Sequence, residues 1–439
     1  MKYTNFETNE VDRFDKSELK KLLREVAKYV SVFIIVVAVP LFVVYRAGRG
    51  YHDEMRMQFV EDFDYILATL ERNFPLFELI YQRHGVDMPE LGRQLRDYLA
   101  YEADNPSARS FVRLVRNDFF RVAGHMGNLE LMNFVDVEVE MSLQGSFWFG
   151  NQRRIDSFRE ILYPPNEHPV LWEIPMTREI TVVTREQAWW NPADINTEII
   201  EEGRIGYIKI GLLPIVQNHR EVSLVNAFFG AVRDFDHLII DIRGLEGRNS
   251  AFFHRVITGP LMSSPEEVEF HHFFMNGRHN QLYFSDLHYT MTDIDEVDFG
   301  ELFGEDAILR ESLERMDYYF SERVLSHSVT ERVNFNGKIW FLIDGATRQG
   351  GQQIASFYEN LGFATFVGET TGGGFGSPSV WGSNFFVLPN TGFVVRYNPT
   401  LIIDNRGRPL ELGTKPHFFN FPGMDALETV LELINRGSY

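Results

Sequence analysis

The sequence predicts an α/β protein: a layered core of strands and helices, preceded by a small helical region and by one membrane-spanning helix. Three observations predict it. After Gly203, short apolar runs of strand length alternate with longer runs of helical spacing, the pattern of a layered α/β core. From Phe59 to about His125, apolar residues such as Phe59, Phe63, Ile66, Leu67 and Leu70 recur at helical spacing. From Tyr29 to Tyr45 the chain carries no charge.

The 439 residues, 44% hydrophobic and 14% aromatic, suffice for two or three domains with substantial cores. A formal net charge of −20 argues against a nucleic-acid partner, because phosphate recognition needs a basic footprint. The chain has no cysteine, which excludes disulfides, thiolate metal sites and a cysteine nucleophile.

Residues 1–28 read as a charged tail and residues 29–45 as a membrane anchor, bounded by Lys28 and Arg46. At 1.5 Å per residue the apolar run covers about 26 Å, close to a bilayer core once the flanking cations snorkel. A buried core helix is the bland alternative, but it would have to be apolar all round. Arg13, Lys16, Lys20, Lys21, Arg24 and Lys28 precede the run, whereas Arg46, Arg49 and Arg56 follow. That bias places the N-terminus in the cytoplasm and the main domains outside, at the cell membrane. A cleaved signal peptide competes with this reading, yet Tyr45-Arg46-Ala47 is a poor small-residue cleavage site.

Residues 51–130 form the expected helical domain, with Gly85 and Pro89 as punctuation and Asn105-Pro106-Ser107 as a turn before a new helix. Residues 131–202 change to short alternating runs, Val137 to Glu140 and Glu179 to Val183, broken by Pro164-Pro165 and Asn191-Pro192. They read as a β-rich connector or cap. No Gly-Leu-Gly-Phe-type carboxylate-binding loop marks them as a PDZ insert. Residues 203–439 form the α/β domain. Its expected strands are Ile205 to Ile210, Leu238 to Ile242, Lys338 to Ile343 and Ala364 to Val367. Expected helices are Glu221 to Phe235 and Gln352 to Leu361, and Phe385 to Leu388 with Phe393 to Tyr397 makes a hairpin near Asn390-Thr391-Gly392. Gly304 to Val333, rich in charge, reads as a helical excursion over the core. No tandem repeat is present.

The stretch from Thr347 to Glu369 is the most informative. A buried strand, Ile339 to Ile343, leads through Asp344 to Thr347 into T-R-Q-G-G-Q, a helix, a second strand and Gly368-Glu369-Thr370-Thr371. This resembles the tail-specific, or C-terminal processing, serine peptidases, with their T-x-S-A-x-E and G-E-x-T. Two further blocks carry the likeness in the same order: Ile205 to Ile210, and Leu238 to Gly244, L-I-I-D-I-R-G. The resemblance covers roughly Gly203 to Ile434 and more weakly reaches back to Phe59. It implies a crotonase-like core and a cleft for a polypeptide or protein C-terminal segment.

Gln349 stands where the family has its serine. A primary amide has no lone pair basic enough to attack a carbonyl, so ordinary serine-protease chemistry cannot run from it. Residues 329–355 contain neither serine nor cysteine. Thr347 is expected to cap the following helix, and Ser356 lies about 10 Å further along the axis, too far for the same site. Gln352 replaces the family's glutamate. Where the resemblance implies a glycine pair for an oxyanion hole, the chain reads Gly244-Leu245-Glu246-Gly247-Arg248, for which an altered surface turn is the bland alternative. Gly374 occupies the lysine position of the lysine-using branch. The wording is closer to the histidine-using, tricorn-like and retinoid-binding-protein-like branch. There, Gly124-His125-Met126-Gly127 matches G-H-T, and Glu411 in Leu410-Glu411-Leu412-Gly413 matches L-E-G. His125, Gln349 and Glu411 are therefore the ancestral-site positions. Their bland readings are a structural histidine and a solvated carboxylate.

Gly244, Gly247, Arg248, Gly350, Gly372, Gly373 and Gly374 form the expected peptide and oxyanion region, the three last giving backbone room to an extended peptide. No cofactor is implied, and no metal. Adjacent His271 and His272 on a strand point to opposite sides, and no Lys-Ser/Thr follows Gly372 to Gly374 to make a phosphate loop. The reading is a membrane-anchored, extracytoplasmic pseudopeptidase that binds polypeptide segments. A working serine-type endopeptidase with an unrecognised hydroxyl is the alternative, and a structural membrane protein without peptide affinity the second.

Overall fold

The computed structural model describes residue 21 and residues 39–103, 107–124, 126–132, 194–213, 219–245, 250–284, 291–303, 310–326, 332–374 and 383–437. The alternating runs at 137–140 and 179–183 lie outside these residues, as do residues 29–38 of the apolar run. Among the described residues no helix is long and apolar enough to cross a membrane.

Helices α1 (Val39–Asn73), α2 (Phe77–His84), α3 (Met88–Asp97) and α4 (Ala108–Arg113) open the chain. The Asp87 side chain accepts from the Glu90 N–H at the start of α3. Ser107 and Ser110 bond reciprocally at the start of α4 in a capping box, while Asn105 and Pro106 of the expected turn lie outside the described residues. These helices have no core to themselves. Phe59, Phe63 and Phe111 share one cluster with Phe273, Phe386 and Tyr397 from far along the chain.

The strands are β1 (Glu130–Met132), β2 (Asp194–Glu201), β3 (Ile205–Leu212), β4 (His237–Asp241), β5 (Glu267–Phe274), β6 (Thr292–Asp293) and β7 (Tyr318–Leu325). They continue with β8 (Lys338–Ile343), β9 (Thr365–Gly368), β10 (Asn384–Val387), β11 (Val394–Tyr397), β12 (Thr400–Asp404) and β13 (Phe418–Phe419). A six-stranded sheet runs β13-β9-β8-β4-β3-β2, parallel except for β2 at its edge. Antiparallel sheets β12-β5-β7-β6 and β1-β11-β10 stand beside it. Helices α5 (His219–Val232), α6 (Arg278–Phe284), α7 (Gly350–Asn360) and α8 (Ala426–Arg436) complete the layers.

The period of two along each strand decides which helix covers which face. Ile208, Ile240, Phe341 and Phe366 meet Val225 of α5 and Ile354 of α7, while Tyr207, Ile239, Trp340 and Leu342 meet Val430 and Leu433 of α8. Covered on both sides, these strands read as continuous apolar runs. Helix α8 starts in a capping box between Asp425 and Glu428, and the Asp425 carboxylate also accepts from Arg243 Nη1 at 2.9 Å. Asp425→Ala is expected to lower stability by about 1–2 kcal/mol in urea unfolding, the cost of a lost cap.

One expected element is corrected. The charged stretch Gly304 to Val333 is not a helical excursion throughout, because Tyr318–Leu325 is β7, paired antiparallel with β5 along its whole length. Phe320, Glu322 and Val324 alternate inward there. Glu322 is tolerated inside because His272 Nε2 lies 3.1 Å from its carboxylate. His271 and His272 do take opposite faces, His271 against the Tyr319 hydroxyl and His272 stacked on Phe320.

Candidate functional site

The site forms where the C-terminal ends of β4, β8 and β9 meet the start of α7. Asp241, the last residue of β4, is fully buried and holds Arg243 through three side-chain contacts of 2.7 to 3.1 Å, and it accepts from the Tyr207 hydroxyl at 2.7 Å. Burial, and then the neighbouring carboxylate, push the Tyr207 phenol upward. This pairing shapes the Asp-Ile-Arg-Gly turn. Gly244 donates its N–H to Asp344 Oδ1 at 2.9 Å, and the Leu245 carbonyl accepts from the Arg348 N–H at 3.1 Å. The Gly244 amide is thus engaged inside the fold rather than presented to a ligand. Gly247 and Arg248 lie outside the described residues.

Asp344 organises the second turn, accepting from the backbone of Ala346 and Thr347 as well as of Gly244. Thr347 is buried here, and its hydroxyl reaches the Ile242 carbonyl at 2.9 Å and Asp344 at 3.0 Å. It therefore ties two strand ends together and does not cap α7, which begins without any side-chain cap. Gly350 opens α7 and is buried. At Gly351 a methyl group would come 2.3 Å from the Leu245 carbonyl oxygen, so the helix start can approach the first turn only as glycine.

Gln349 is the residue at the helix entrance, with φ +49° and ψ −115°. L-residues are strained in that region, which belongs to glycine at the first central position of a type II′ turn. The strain amounts to about 1–3 kcal/mol. Gln349→Gly is accordingly expected to raise stability by about 1 kcal/mol in chemical denaturation, after subtracting glycine's larger unfolded-state entropy.

Glu411 lies on the other side of the Gly373-Gly374 peptide. A side-chain carbon built on Gly373 would stand 2.1 Å from the Glu411 carbonyl oxygen, and one on Gly374 3.6 Å from the Gln349 nitrogen. A carbon on Gly372 would meet the Gly345 oxygen at 2.4 Å. The room at Gly372 and Gly373 is thus taken by this chain's own backbone, and Gly374 alone of the three leaves ordinary van der Waals room for a side-chain carbon. Far from being a solvated carboxylate, Glu411 is 3% exposed. Asn398 Nδ2 donates to its Oε1 at 3.3 Å, and the backbone of Gly127 and Gly374 faces it. Among the described residues its Oε2 has no hydrogen-bond partner. Burial pushes this carboxyl up to about 7, against the smaller opposing pull of those hydrogen bonds and of Arg83. Arg83 Nη1 also donates to the Glu411 carbonyl at 3.0 Å.

Gln349, Gly350, Gly373, Gly374 and Glu411 are therefore brought together, and the Gly127 backbone lies against Glu411. His125 itself lies outside the described residues. Asn398 and Arg83 escaped the sequence reading, although Asn398-Pro399 is a turn signal that marks a fixed backbone. Gln352 spends both ends of its amide, donating to Thr414 Oγ1 at 3.2 Å and accepting from the Thr371 hydroxyl. Ser356 is buried at 3% exposure within α7. Among the described residues no cluster of His, Asp or Glu could hold a metal ion. Among the described residues the helix entrance presents a carboxamide, a carboxyl group raised by burial and backbone polar groups.

No family model matches the chain, and no curated protein matches it. Among solved structures, a candidate peptidase from Parabacteroides merdae is similar at a TM-score of 0.51 and 14% identity, over 86% of this chain and 96% of that one. Mature CPAF is similar at a TM-score of 0.49 and 12% identity, over 88% of this chain and 99% of that one. At such identity the likeness is one of fold, and in its mixed α/β architecture this chain folds as the Parabacteroides candidate peptidase does.

Proposed function

We propose that the chain is a non-cutting relative of the tail-specific peptidases, which holds a polypeptide segment in the cleft between Gln349, Gly374 and Glu411. The observation that carries this reading is Gln349 itself. A strained backbone is retained at the helix entrance, while the side chain on it is a carboxamide that cannot form an acyl intermediate. In this reading residues 203–439 are a crotonase-like domain, residues 51–130 a helical domain and residues 131–202 a cap. The chain is anchored through residues 29–45 with its first 28 residues in the cytoplasm and its cleft outside, at the cell membrane.

Purified protein incubated with a fluorophosphonate probe is expected to stay unlabelled, and a library of extended apolar peptides is expected to bind and be recovered intact. Turnover that survives repurification and disappears in His125→Ala would establish a working peptidase instead. Absence of peptide affinity altogether would favour a structural membrane protein.

A further inference from the structure

We propose that the buried wall behind Gln349 is a pocket for a primary carboxamide, the side chain of an asparagine or glutamine in the bound segment, recognised head to head by the amide of Gln353. The proposal rests on the reading that the cleft takes a polypeptide.

Gln353 follows Gln349 by one helical turn, and its N–H donates to the Gln349 carbonyl at 3.0 Å. Residues four apart share a helix face, and helical side chains lean toward the N-terminus, so the Gln353 amide extends back toward the helix entrance. It is 1% exposed, and among the described residues neither Oε1 nor Nε2 has a hydrogen-bond partner. The adjacent Gln352, equally buried, uses both of its amide atoms, so the vacant pairing is particular to Gln353.

A second group converges from β12. Its alternate residues Thr400, Ile402 and Asp404 face α7: Asp404 accepts from Asn360 Nδ2 at 3.0 Å, and Ile402 packs in the same cluster as Ile354 and Phe357. Asn398, two residues before Thr400, reaches Glu411. Thr400 therefore lies toward the helix entrance, and its hydroxyl, on a residue 2% exposed, also lacks a partner among the described residues. Buried polar atoms are nearly always paired, and three unpaired ones from two elements facing each other point to a ligand that supplies both a donor and an acceptor.

A primary carboxamide fits that requirement. Its N–H donates to Gln353 Oε1 while its oxygen accepts from Nε2, giving two parallel bonds, with Thr400 free to take a third. A carboxylate satisfies Nε2 but sets its second oxygen against Oε1. An alkyl group leaves both ends of Gln353 unpaired. Selection for glutamine or asparagine over leucine or glutamate should therefore reach at least about tenfold in Kd.

The test uses the purified full chain and peptides of one extended apolar sequence in which a single glutamine, asparagine, leucine or glutamate is moved along the chain. Fluorescence anisotropy should show the amide preference at one register. In Gln353→Leu, which keeps the volume and removes the buried polar atoms, the preference should pass to leucine, with a melting temperature no lower than that of the wild type. Butyramide, but not butyrate, should raise the melting temperature of the wild type and leave that of Gln353→Leu unchanged. Peptides that bind without preference, or whose preference survives in Gln353→Leu, would overturn the pocket while leaving the polypeptide reading in place. If no peptide binds but butyramide still discriminates the two proteins, the pocket stands and the polypeptide reading falls. If butyramide fails as well, both fall.

Discussion

Asp241→Ala is expected to destabilise the protein by about 3–5 kcal/mol, measured by urea unfolding, because it strands a largely buried guanidinium. Arg243 is 19% exposed and its fork closes on a carboxylate that is fully buried. Removing the carboxylate also leaves the Tyr207 hydroxyl and the Arg243 N–H without their acceptor. Arg243 has a second partner in Asp425 at 2.9 Å, but Asp425 is half exposed and offers less compensation. Asp241→Ala combined with Arg243→Ala should cost less than the two single changes added together, since the double variant no longer buries an unpaired charge. Because the same pair shapes the turn to Gly244 and Leu245, on which α7 rests, the single variant should also weaken the proposed peptide binding.

A second large effect concerns pH. Glu411 has its carboxyl raised from an ordinary 4.5 to about 7 by burial. The folded protein therefore holds a proton there that the unfolded chain has already lost, and stability falls as pH rises from about 4.5 to about 7. Below the unfolded value the group contributes no penalty; above about 7 the penalty is complete, at about 3 kcal/mol. Glu411→Gln removes the titration, so the wild type and the variant should be similar near pH 4 and diverge by about that amount at pH 8, the variant being the more stable. Equal pH profiles of urea stability would show that the carboxyl titrates normally.

The parts of the fold that could be read from the sequence are those whose burial is simple. β8 occupies the expected residues, and α7, β9 and the β10–β11 hairpin depart from their expected bounds by a residue or two. In β8 both faces are covered by helices, so nearly every side chain is apolar and the run announces itself. β7 was hidden for the opposite reason. Its inward positions include Glu322, which is sensible only beside His272 on a strand distant in sequence. β5 carries His271 and His272 at buried positions, where Tyr319 and Glu322 of the paired strand β7 meet them, and β12 carries Asp404, met by Asn360 of α7 and by Arg408.

The site divides in the same way. That position 349 carries no nucleophile, that no cysteine exists and that glycines cluster around residues 372–374 follow from residue chemistry, which does not depend on where the chain goes. That Glu411 is buried, that Gly373 is filled by its carbonyl and that Gln353 keeps its amide unpaired follow from close approach between segments far apart in sequence. Composition and spacing report what each residue can do. Desolvation and hydrogen-bond pairing depend on neighbours that only the packed layers bring together, and these decide which of those capacities each residue keeps.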